Sequence, residues 1–213
     1  MARKRVAVLI SGRGSNMVAL IEAGKDPAFP AEIAIVISND PAAEGLKRAS
    51  VMGIATAVVD HKTFGKDREA FERALQEELQ KHRIELVCLA GFMRLLTPWF
   101  VRQWEGRLLN IHPALLPMFK GLDTHARALA ASVKEHGATV HFVVPEMDSG
   151  PIIAQAAVPV HAGDSEASLA ARVLEAEHRI YPLALKLVAE GRVTIDNGRC
   201  LIDGAPVALA SPK

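Results

Sequence analysis

The sequence predicts an α/β protein with a doubly wound, mostly parallel central sheet and helices on both of its faces. Two kinds of segment alternate in its first hundred residues. The apolar runs are 5–10, 32–38, 54–60 and 85–90, and the helix-like stretches between them are 16–23, 42–52 and 66–82. Strands that are apolar throughout are typical of parallel sheets covered by helices on both sides. The alternation therefore predicts consecutive β-α-β units.

The second half of the chain predicts two more strands, at 139–143 and 152–158, and then a long helix that begins near Ser165. Ser165 can cap the exposed amides of that helix, and Pro182 is expected to kink it. One face is expected to carry the apolar residues Leu169, Val173, Ile180, Leu183 and Leu187. The Asn197-Gly198 step between two apolar runs predicts a C-terminal hairpin.

The chain is expected to form a single domain over residues 1–213, because no Pro- or Gly-rich linker or charge block interrupts it. Lys and Arg number 25 against 24 Asp and Glu, for a formal charge of +1. That balance argues against broad electrostatic capture of nucleic acid or of an anionic membrane. Cys88 and Cys200 lie far apart and form no metal-binding spacing, so we expect a reducing, cytoplasmic location. No run approaches the ~18 apolar residues of a membrane span.

The first candidate site is the glycine loop, Ser11–Asn16, which follows the first strand and opens the first helix. Free backbone amides and the helix dipole favour an anion such as a phosphate there. The spacing is neither the dinucleotide fingerprint, because Met17 occupies the third glycine position, nor a nucleoside-triphosphate loop. A glycine turn needed only for tight geometry is the alternative interpretation.

Two further candidates lie in the second half. Asn110 and His112 are two residues apart on a predicted strand, so both side chains point the same way, and Pro113 ends that strand near a sheet edge. Asp148 lies in a turn after another strand. Each of these residues taken alone has a structural explanation, a hydrogen-bonded histidine or a capped turn. His112, His125 and His141 could in principle gather a metal with Asp123 or Asp148, but no short metal-ligand spacing is present, so no metal is expected. The remaining histidines, His61, His82, His136, His161 and His178, are expected to face solvent.

Taken together, four stretches resemble one family, the folate-dependent phosphoribosylglycinamide formyltransferases. The stretches are 10–16, 89–94, 110–117 and 141–151, and the match extends in order from about residue 5 to about residue 190. The resemblance implies a formyltransferase-type, Rossmann-like fold. It also divides the expected domain into a phosphate-binding half (1–100), a catalytic and folate-binding half (101–190) and a C-terminal hairpin (191–213).

The resemblance implies transfer of the formyl group of 10-formyltetrahydrofolate to the amine of glycinamide ribonucleotide, a step of purine biosynthesis. Its implied catalytic residues are Asn110, His112 and Asp148. Those implied for the ribonucleotide are Gly14, Ser15, Asn16 and Glu177. Those implied for the folate are Arg68, Met93, Arg94, Leu95, Leu96, Asn110, Val144, Glu146 and Asp148. Asn110 and protonated His112 are expected to donate hydrogen bonds to the oxyanion, while Asp148 orients the ring and helps to move the proton.

Two residues depart from the pattern of some members of the family: Thr139 stands in place of a serine, and Asp123 in place of a histidine. Thr139 keeps a hydroxyl. Asp123 changes the charge near the expected site and is otherwise interpreted as the N-cap of a helix over 124–133. The expected partners are the two small-molecule substrates, without nucleic acid or membrane, and the expected assembly is a monomer or homodimer.

Two alternative functions stay open. A formyltetrahydrofolate hydrolase shares the three catalytic residues but is expected to carry an added amino-terminal domain, and a methionyl-tRNA formyltransferase is expected to need a basic carboxy-terminal domain. The other alternative is a nucleotide-binding module without catalysis, in which His112 and Asp148 serve only packing and turns.

Overall fold

A computed structural model describes residues 2–210, and the chain divides into two compact units. Unit 1 ends at Asn110 and unit 2 begins at Ile111. The outermost residues of the expected domain, 1 and 211–213, lie outside the described range. Among residues 2–210, no helix has the length and apolar character that crossing a bilayer requires.

Unit 1 alternates strands and helices, as the apolar pattern predicts. Its elements are β1 (Lys4–Ile10), α1 (Ser15–Gly24), β2 (Ala31–Ser38), α2 (Glu44–Val51), β3 (Ala55–Val58), a 3₁₀ turn (His61–Phe64), α3 (Arg68–Lys81), β4 (Leu86–Leu89) and α4 (Pro98–Gln103). Strand β5 (Leu108–His112) follows and contains the boundary between the units. The parallel strands β1 and β4 pair Val8 with Cys88, and both side chains are fully buried. Their continuous apolar sequence therefore reflects burial on both faces.

Unit 2 contains the antiparallel pair and the long helix. Its elements are α5 (Thr124–Ala130), β6 (Glu135–Phe142), β7 (Ile152–Pro159), α6 (Glu166–Ala189), β8 (Val193–Asp196), β9 (Arg199–Ile202) and β10 (Ala205–Pro206). Strands β6 and β7 pair with a bulge between Val140 and His141. Asn197 and Gly198 both have positive φ in the turn between β8 and β9, so the predicted hairpin is confirmed.

The fold class predicted from the sequence is confirmed. Within residues 2–210, seven strands form one sheet in the order β3-β2-β1-β4-β5-β6-β7, and β10-β9-β8 form a second, three-stranded sheet. The β1–β2, β1–β4, β2–β3 and β4–β5 pairs are parallel, whereas β6 and β7 are antiparallel. Parallel neighbours end at the same edge of a sheet, and open α/β folds bind their ligands at that edge.

Helix α6 begins where the sequence predicts, and four of the five residues predicted on its apolar face are buried: Leu169, Val173, Ile180 and Leu187. The Ser165 hydroxyl accepts a hydrogen bond from the Ser168 amide at 3.1 Å, in a reciprocal capping box. Leu183, placed on the apolar face, is half exposed, whereas the small residues Ala176 and Ala184 are fully buried. The fully buried residues of α6 thus include these alanines beside large side chains such as Tyr181 and Leu185, and the prediction was wrong at Leu183 alone.

Local predictions were wrong at α5 and at His136, and two short elements were not predicted. Asp123 occupies the position before α5, but it has a φ of 55° and its side chain makes no capping bond, and the helix ends at Ala130 rather than at Val133. His136 is only 1% exposed, because β6 begins at Glu135 and carries this residue into the interior. Helix α4 and strand β10 were not predicted, since each is too short to show a periodic pattern.

Candidate active site

In unit 1, three candidate regions meet at the carboxyl ends of neighbouring strands. Leu9 of β1 pairs with Leu89 of β4, and Leu89 pairs with Asn110 of β5. The Ser11 amide, just after β1, donates to the Gly91 carbonyl, just after β4, at 3.1 Å. The glycine loop, the stretch after β4 and Asn110 therefore lie at one edge of the parallel sheet, where the fold class places its ligands.

The glycine loop exposes backbone amides because Gly14 supplies a conformation that other residues resist. Gly14 precedes α1 with a φ of 72°, no side chain caps this helix, and its first turn contains no acidic residue. A Cβ at Gly14 would lie 3.2 Å from the Cα of Gly45 and 3.1 Å from the Met17 side chain. The Gly45 amide in turn donates to the Gly12 carbonyl at 3.0 Å. The loop is thus held by glycines at close backbone contacts and leaves the helix N-terminus to an anion.

The stretch that follows β4, residues 91–97, is called here the 91–97 segment. It presents two large apolar side chains to solvent, since Met93 is 65% and Leu95 is 62% exposed. Arg68, the first residue of α3, is also exposed, directly after Asp67, which accepts a hydrogen bond from the Ala70 amide. Large apolar side chains exposed close together are typical of a ligand-binding surface.

In unit 2, the structure brings His112 and Asp148 together. The His112 Nδ1 atom lies 3.5 Å from the Asp148 Oδ2 atom, and His112 is only 5% exposed. The Gly121 amide donates to the same Oδ2 at 2.8 Å. Asp148 has a φ of 49°, a conformation that a non-glycine residue adopts at some energetic cost. Its carboxylate is thus held in one orientation by the turn and by a backbone amide.

The other ring nitrogen of His112 is also engaged. Nε2 lies 2.9 Å from the Phe119 carbonyl oxygen, and because a carbonyl only accepts, Nε2 carries a proton. Phe119 has a φ of 54°, and the Arg127 guanidinium lies 5.6 Å from the centre of its ring. Arg127 also donates to the Lys120 carbonyl at 2.6 Å. The stretch around Phe119 therefore folds onto the imidazole.

Sequence reasoning considered His141 only as a possible metal ligand, and the structure places it beside the other oxygen of the Asp148 carboxylate. His141 Nε2 lies 3.8 Å from Asp148 Oδ1, while its Nδ1 lies 2.8 Å from the Phe142 carbonyl oxygen. Burial lowers the pKa of His141, and the Phe142 carbonyl and Asp148 act in the opposite direction. Alternation along β6 is the one signal that could have found it, because it places His141 on the same face as Thr139.

The Thr139 hydroxyl is hydrogen-bonded to the stretch just after β5. Its Oγ1 donates to the Ala114 carbonyl at 2.6 Å and accepts from the Leu116 amide at 3.1 Å. The Gln155 side-chain amide also donates to this oxygen, at 3.0 Å. The hydroxyl fastens the stretch just after β5, and a serine would supply the same oxygen.

The remaining predicted residues fall into the two units. Unit 1 contains Gly14, Ser15, Asn16, Arg68, Met93, Arg94, Leu95, Leu96 and half-buried Asn110, and unit 2 contains His112, half-buried Val144, exposed Glu146, Asp148 and buried Glu177. Glu177 lies in α6 and is only 6% exposed, so this carboxylate lies in the packed face of the helix. Within residues 2–210, no cluster of three or more His, Cys, Asp or Glu residues has the arrangement of a metal site.

Comparison with known proteins identifies relatives over most of the chain. A family model described as formyl transferase matches residues 4–185. The phosphoribosylglycinamide formyltransferase of Escherichia coli strain K12 is 48% identical over 199 residues, which are 93% of each chain. The crystal structure of glycinamide ribonucleotide transformylase 1 from Symbiobacterium toebii is 46% identical, with a TM-score of 0.91 over 94% of each chain.

Longer relatives also match. The trifunctional purine biosynthetic protein adenosine-3 of Gallus gallus is 52% identical over 191 residues, which are 90% of this chain and 19% of that protein. The chain thus spans about a fifth of the length of these trifunctional relatives.

Proposed function

We propose an activity for this chain on one premise: it belongs to the formyl transferase family, whose model matches residues 4–185. The family resemblance identified from the motifs is thereby confirmed. The proposed activity is that of a phosphoribosylglycinamide formyltransferase, which moves the formyl group of 10-formyltetrahydrofolate onto the amine of glycinamide ribonucleotide. The products are N-formylglycinamide ribonucleotide and tetrahydrofolate, in purine biosynthesis. The His112–Asp148 pair, with 3.5 Å between Nδ1 and Oδ2, supports chemistry on the formyl group. The observation that favours a phosphorylated acceptor over water is the glycine loop, which leaves the N-terminus of α1 without a side-chain cap.

The reaction needs charge stabilisation at two places. The amine nitrogen attacks the formyl carbon, and the intermediate carries a negative oxygen and a positive nitrogen before the bond from carbon to the folate N10 breaks. We propose that the Asn110 amide and the His112 imidazolium donate to the oxyanion, contacts worth roughly 10²–10³ in rate per donor. Asp148 holds the ring and relays the amine proton toward N10 as that nitrogen leaves, which is general acid–base catalysis.

Donation by His112 requires a change in its hydrogen bonds. Nε2 donates to the Phe119 carbonyl in this structure, and Nδ1 faces Asp148. One nitrogen must therefore exchange its present partner for the formyl oxygen, and the Phe119 carbonyl is the partner that a shift of the stretch around Phe119 can remove. The Asp148 contact then stays in place and keeps the ring in its orientation.

The proposed contacts to the two substrates begin with the glycine loop and the 91–97 segment of unit 1 and include residues of unit 2. The ribonucleotide phosphate is proposed to accept from the amides of Gly14, Ser15 and Asn16, with Glu177 near the rest of that substrate. The folate is proposed to contact Arg68, Met93–Leu96, Val144 and Glu146. The domain assignment, 1–213 with the functional halves 1–100 and 101–190 and the hairpin 191–213, is part of the same proposal. A cytoplasmic location, the absence of a bound metal and a monomeric or homodimeric state stay predictions.

A substrate-omission assay tests the activity. Purified protein is mixed with 10-formyltetrahydrofolate, with and without glycinamide ribonucleotide, while folate absorbance and the mass of the nucleotide are followed. The proposal predicts folate deformylation that requires the ribonucleotide, together with a formylated nucleotide product. Deformylation at the same rate without the ribonucleotide would identify a hydrolase, and no reaction would favour a non-catalytic module.

A further inference from the structure

The 91–97 segment is fastened at both of its ends by side chains that have no part in the proposed chemistry. At its start, the Met93 amide donates to the Ser11 Oγ at 2.7 Å. At its end, the Thr97 amide donates to the Glu72 Oε1 at 2.6 Å, and the Thr97 hydroxyl donates to the other carboxylate oxygen. The exposed side chains of Met93 and Leu95 lie along the chain between these two attachments.

The attachment at Ser11 is itself buttressed from a third strand. The Ser11 hydroxyl donates to the Asn39 Oδ1, just after β2, and Asn39 is only 4% exposed. The Asn39 Nδ2 lies 3.1 Å from the Nδ1 of His61, in the 3₁₀ turn. The Ser11 hydroxyl thus joins the ends of β1 and β2 through Asn39 and reaches the stretch after β4 through Met93. The Ser11 amide adds a further bond to that stretch, at the Gly91 carbonyl. A side chain so fixed can accept from the Met93 amide in only one direction.

The attachment at Glu72 uses a buried carboxylate. Glu72 has no solvent exposure, and burial raises its pKa, while the two hydrogen bonds from Thr97 act in the opposite direction. It lies one turn beyond Arg68 on α3, so the bonds to Thr97 join the helix that carries Arg68 to the 91–97 segment. Burying a carboxylate is costly even with the Arg68 charge one turn away, and an apolar residue would pack there at lower cost.

We infer that Ser11 and Glu72 are positioning residues for the formyl donor, because they hold both ends of the segment that presents Met93–Leu96 to the folate. This inference rests on the proposed function, which takes that segment as part of the folate pocket. A segment fixed before binding loses less conformational entropy when the ligand arrives, so its anchors affect affinity for that ligand. Ser11 opens the glycine loop, but its hydrogen bonds run to Asn39, Gly91 and Met93 rather than to the three residues proposed to hold the phosphate. We therefore expect affinity for the folate to change more than affinity for the ribonucleotide.

Steady-state kinetics of Ser11 variants provide the first test. Ser11→Ala removes the acceptor of the Met93 amide and is expected to raise KM for 10-formyltetrahydrofolate about three- to tenfold, the range for one lost hydrogen bond. KM for glycinamide ribonucleotide is expected to stay within about twofold. Ser11→Thr keeps the hydroxyl and is expected to restore the folate KM. Ser50→Ala, at an exposed serine of α2, is the matched control.

Glu72 variants provide the second test, at the other end of the segment. Glu72→Ala leaves the Thr97 amide without its acceptor, so Glu72→Gln is compared with it, because glutamine can accept from that amide and donate to the Thr97 hydroxyl. Glu72→Ala is expected to raise the folate KM, and Glu72→Gln to restore most of it. Glu77→Ala, at an exposed position of the same helix, is the control. A fall in the folded fraction lowers apparent kcat but leaves KM unchanged, so KM separates positioning from stability.

The outcomes separate this inference from the proposed function. If the wild-type protein transfers no formyl group to glycinamide ribonucleotide, the proposed function fails and the inference fails with it. If the wild type is active but Ser11→Ala and Glu72→Ala leave the folate KM unchanged, the inference alone is overturned. An equal rise in KM for both substrates also overturns it, since that result indicates general loosening of the site.

Discussion

The glycine loop of unit 1 and the His112–Asp148 pair of unit 2 present their functional groups in different ways. The glycine loop offers backbone amides, and the conformation that exposes them depends on Gly14 with its φ of 72°. The pair offers side chains that backbone groups hold in place: the Phe119 carbonyl accepts from His112, and the Gly121 amide donates to Asp148. Substitutions are therefore expected to act differently in the two regions. In the glycine loop they affect binding and backbone conformation, and in the His112–Asp148 pair they affect the rate of chemistry.

The largest expected effect belongs to the side-chain region. Asp148→Asn keeps the shape of the side chain but removes the charge beside His112 and the proton acceptor. We expect kcat to fall by about 10²–10⁴, the contribution typical of a positioned acid or base. Turnover is measured under saturating substrates, with circular dichroism to establish folding. A folded Asp148→Asn enzyme with near-wild-type turnover would remove Asp148 from the mechanism.

The buried His136 extends the comparison to a third feature, which lies in unit 2 and is tested by the pH dependence of stability. Burial lowers the pKa of His136 to about 4, and the charges of His125 and His112 act in the same direction. The unfolded chain, with a pKa near 6.5, binds more protons between pH 4 and 6.5. The contribution of His136 to the free energy of unfolding is therefore complete above pH 6.5. It decreases by about 3 kcal/mol as the pH falls toward 4.

Urea denaturation between pH 4 and 7 measures that slope. His136→Leu is expected to flatten it in part, while buried His141 and partly buried His125 and His178, whose pKa values burial also lowers, maintain the rest. His161→Ala, at an exposed site, serves as the control. An unchanged slope in His136→Leu would mean that this ring does not titrate on unfolding.

The smallest expected effect concerns the backbone region. Gly14→Ala places a Cβ 3.2 Å from the Gly45 Cα at a positive φ, so we expect a loss of about 1–2 kcal/mol in the free energy of unfolding. KM for glycinamide ribonucleotide is expected to rise while kcat changes little. Gly12→Ala is the matched control, because nothing lies within 4 Å of its added Cβ. Equal effects of the two substitutions would contradict the role assigned to Gly14.

The sequence predicts the fold of unit 1 well because a single physical factor, burial, explains the apolar pattern of its strands. Strands β1 and β4 are buried on both faces, and continuous apolar runs follow directly from that burial. His136 was predicted to face solvent because its neighbours Glu135 and Gly137 resemble a turn, and only pairing with β7 reveals its burial. The exposed Leu183 shows the same limit, since helical periodicity alone does not tell which apolar residue at the margin of a face meets a neighbouring element.

The candidate site was predictable in its residue types but not in its supporting contacts. The resemblance brought Asn110, His112 and Asp148 to attention together, and the structure places the last two 3.5 Å apart. The carbonyl of Phe119 on His112 and the amide of Gly121 on Asp148 are backbone groups, which every residue carries and no motif displays. Sequence reasoning placed Ser11 only within the glycine loop and gave Glu72 no role, because their anchoring roles depend on contacts with Met93 and Thr97, across long separations in sequence.

The central claim, that His112 and Asp148 act as one catalytic unit, is tested most directly by a double-mutant cycle on kcat. His112→Ala, Asp148→Asn and the double variant are assayed with both substrates at saturation. Residues that act as a unit are not additive, so the double variant is expected to be about as slow as the slower single variant. Rate losses that multiply in the double variant would show that the two residues act independently, and would contradict this account.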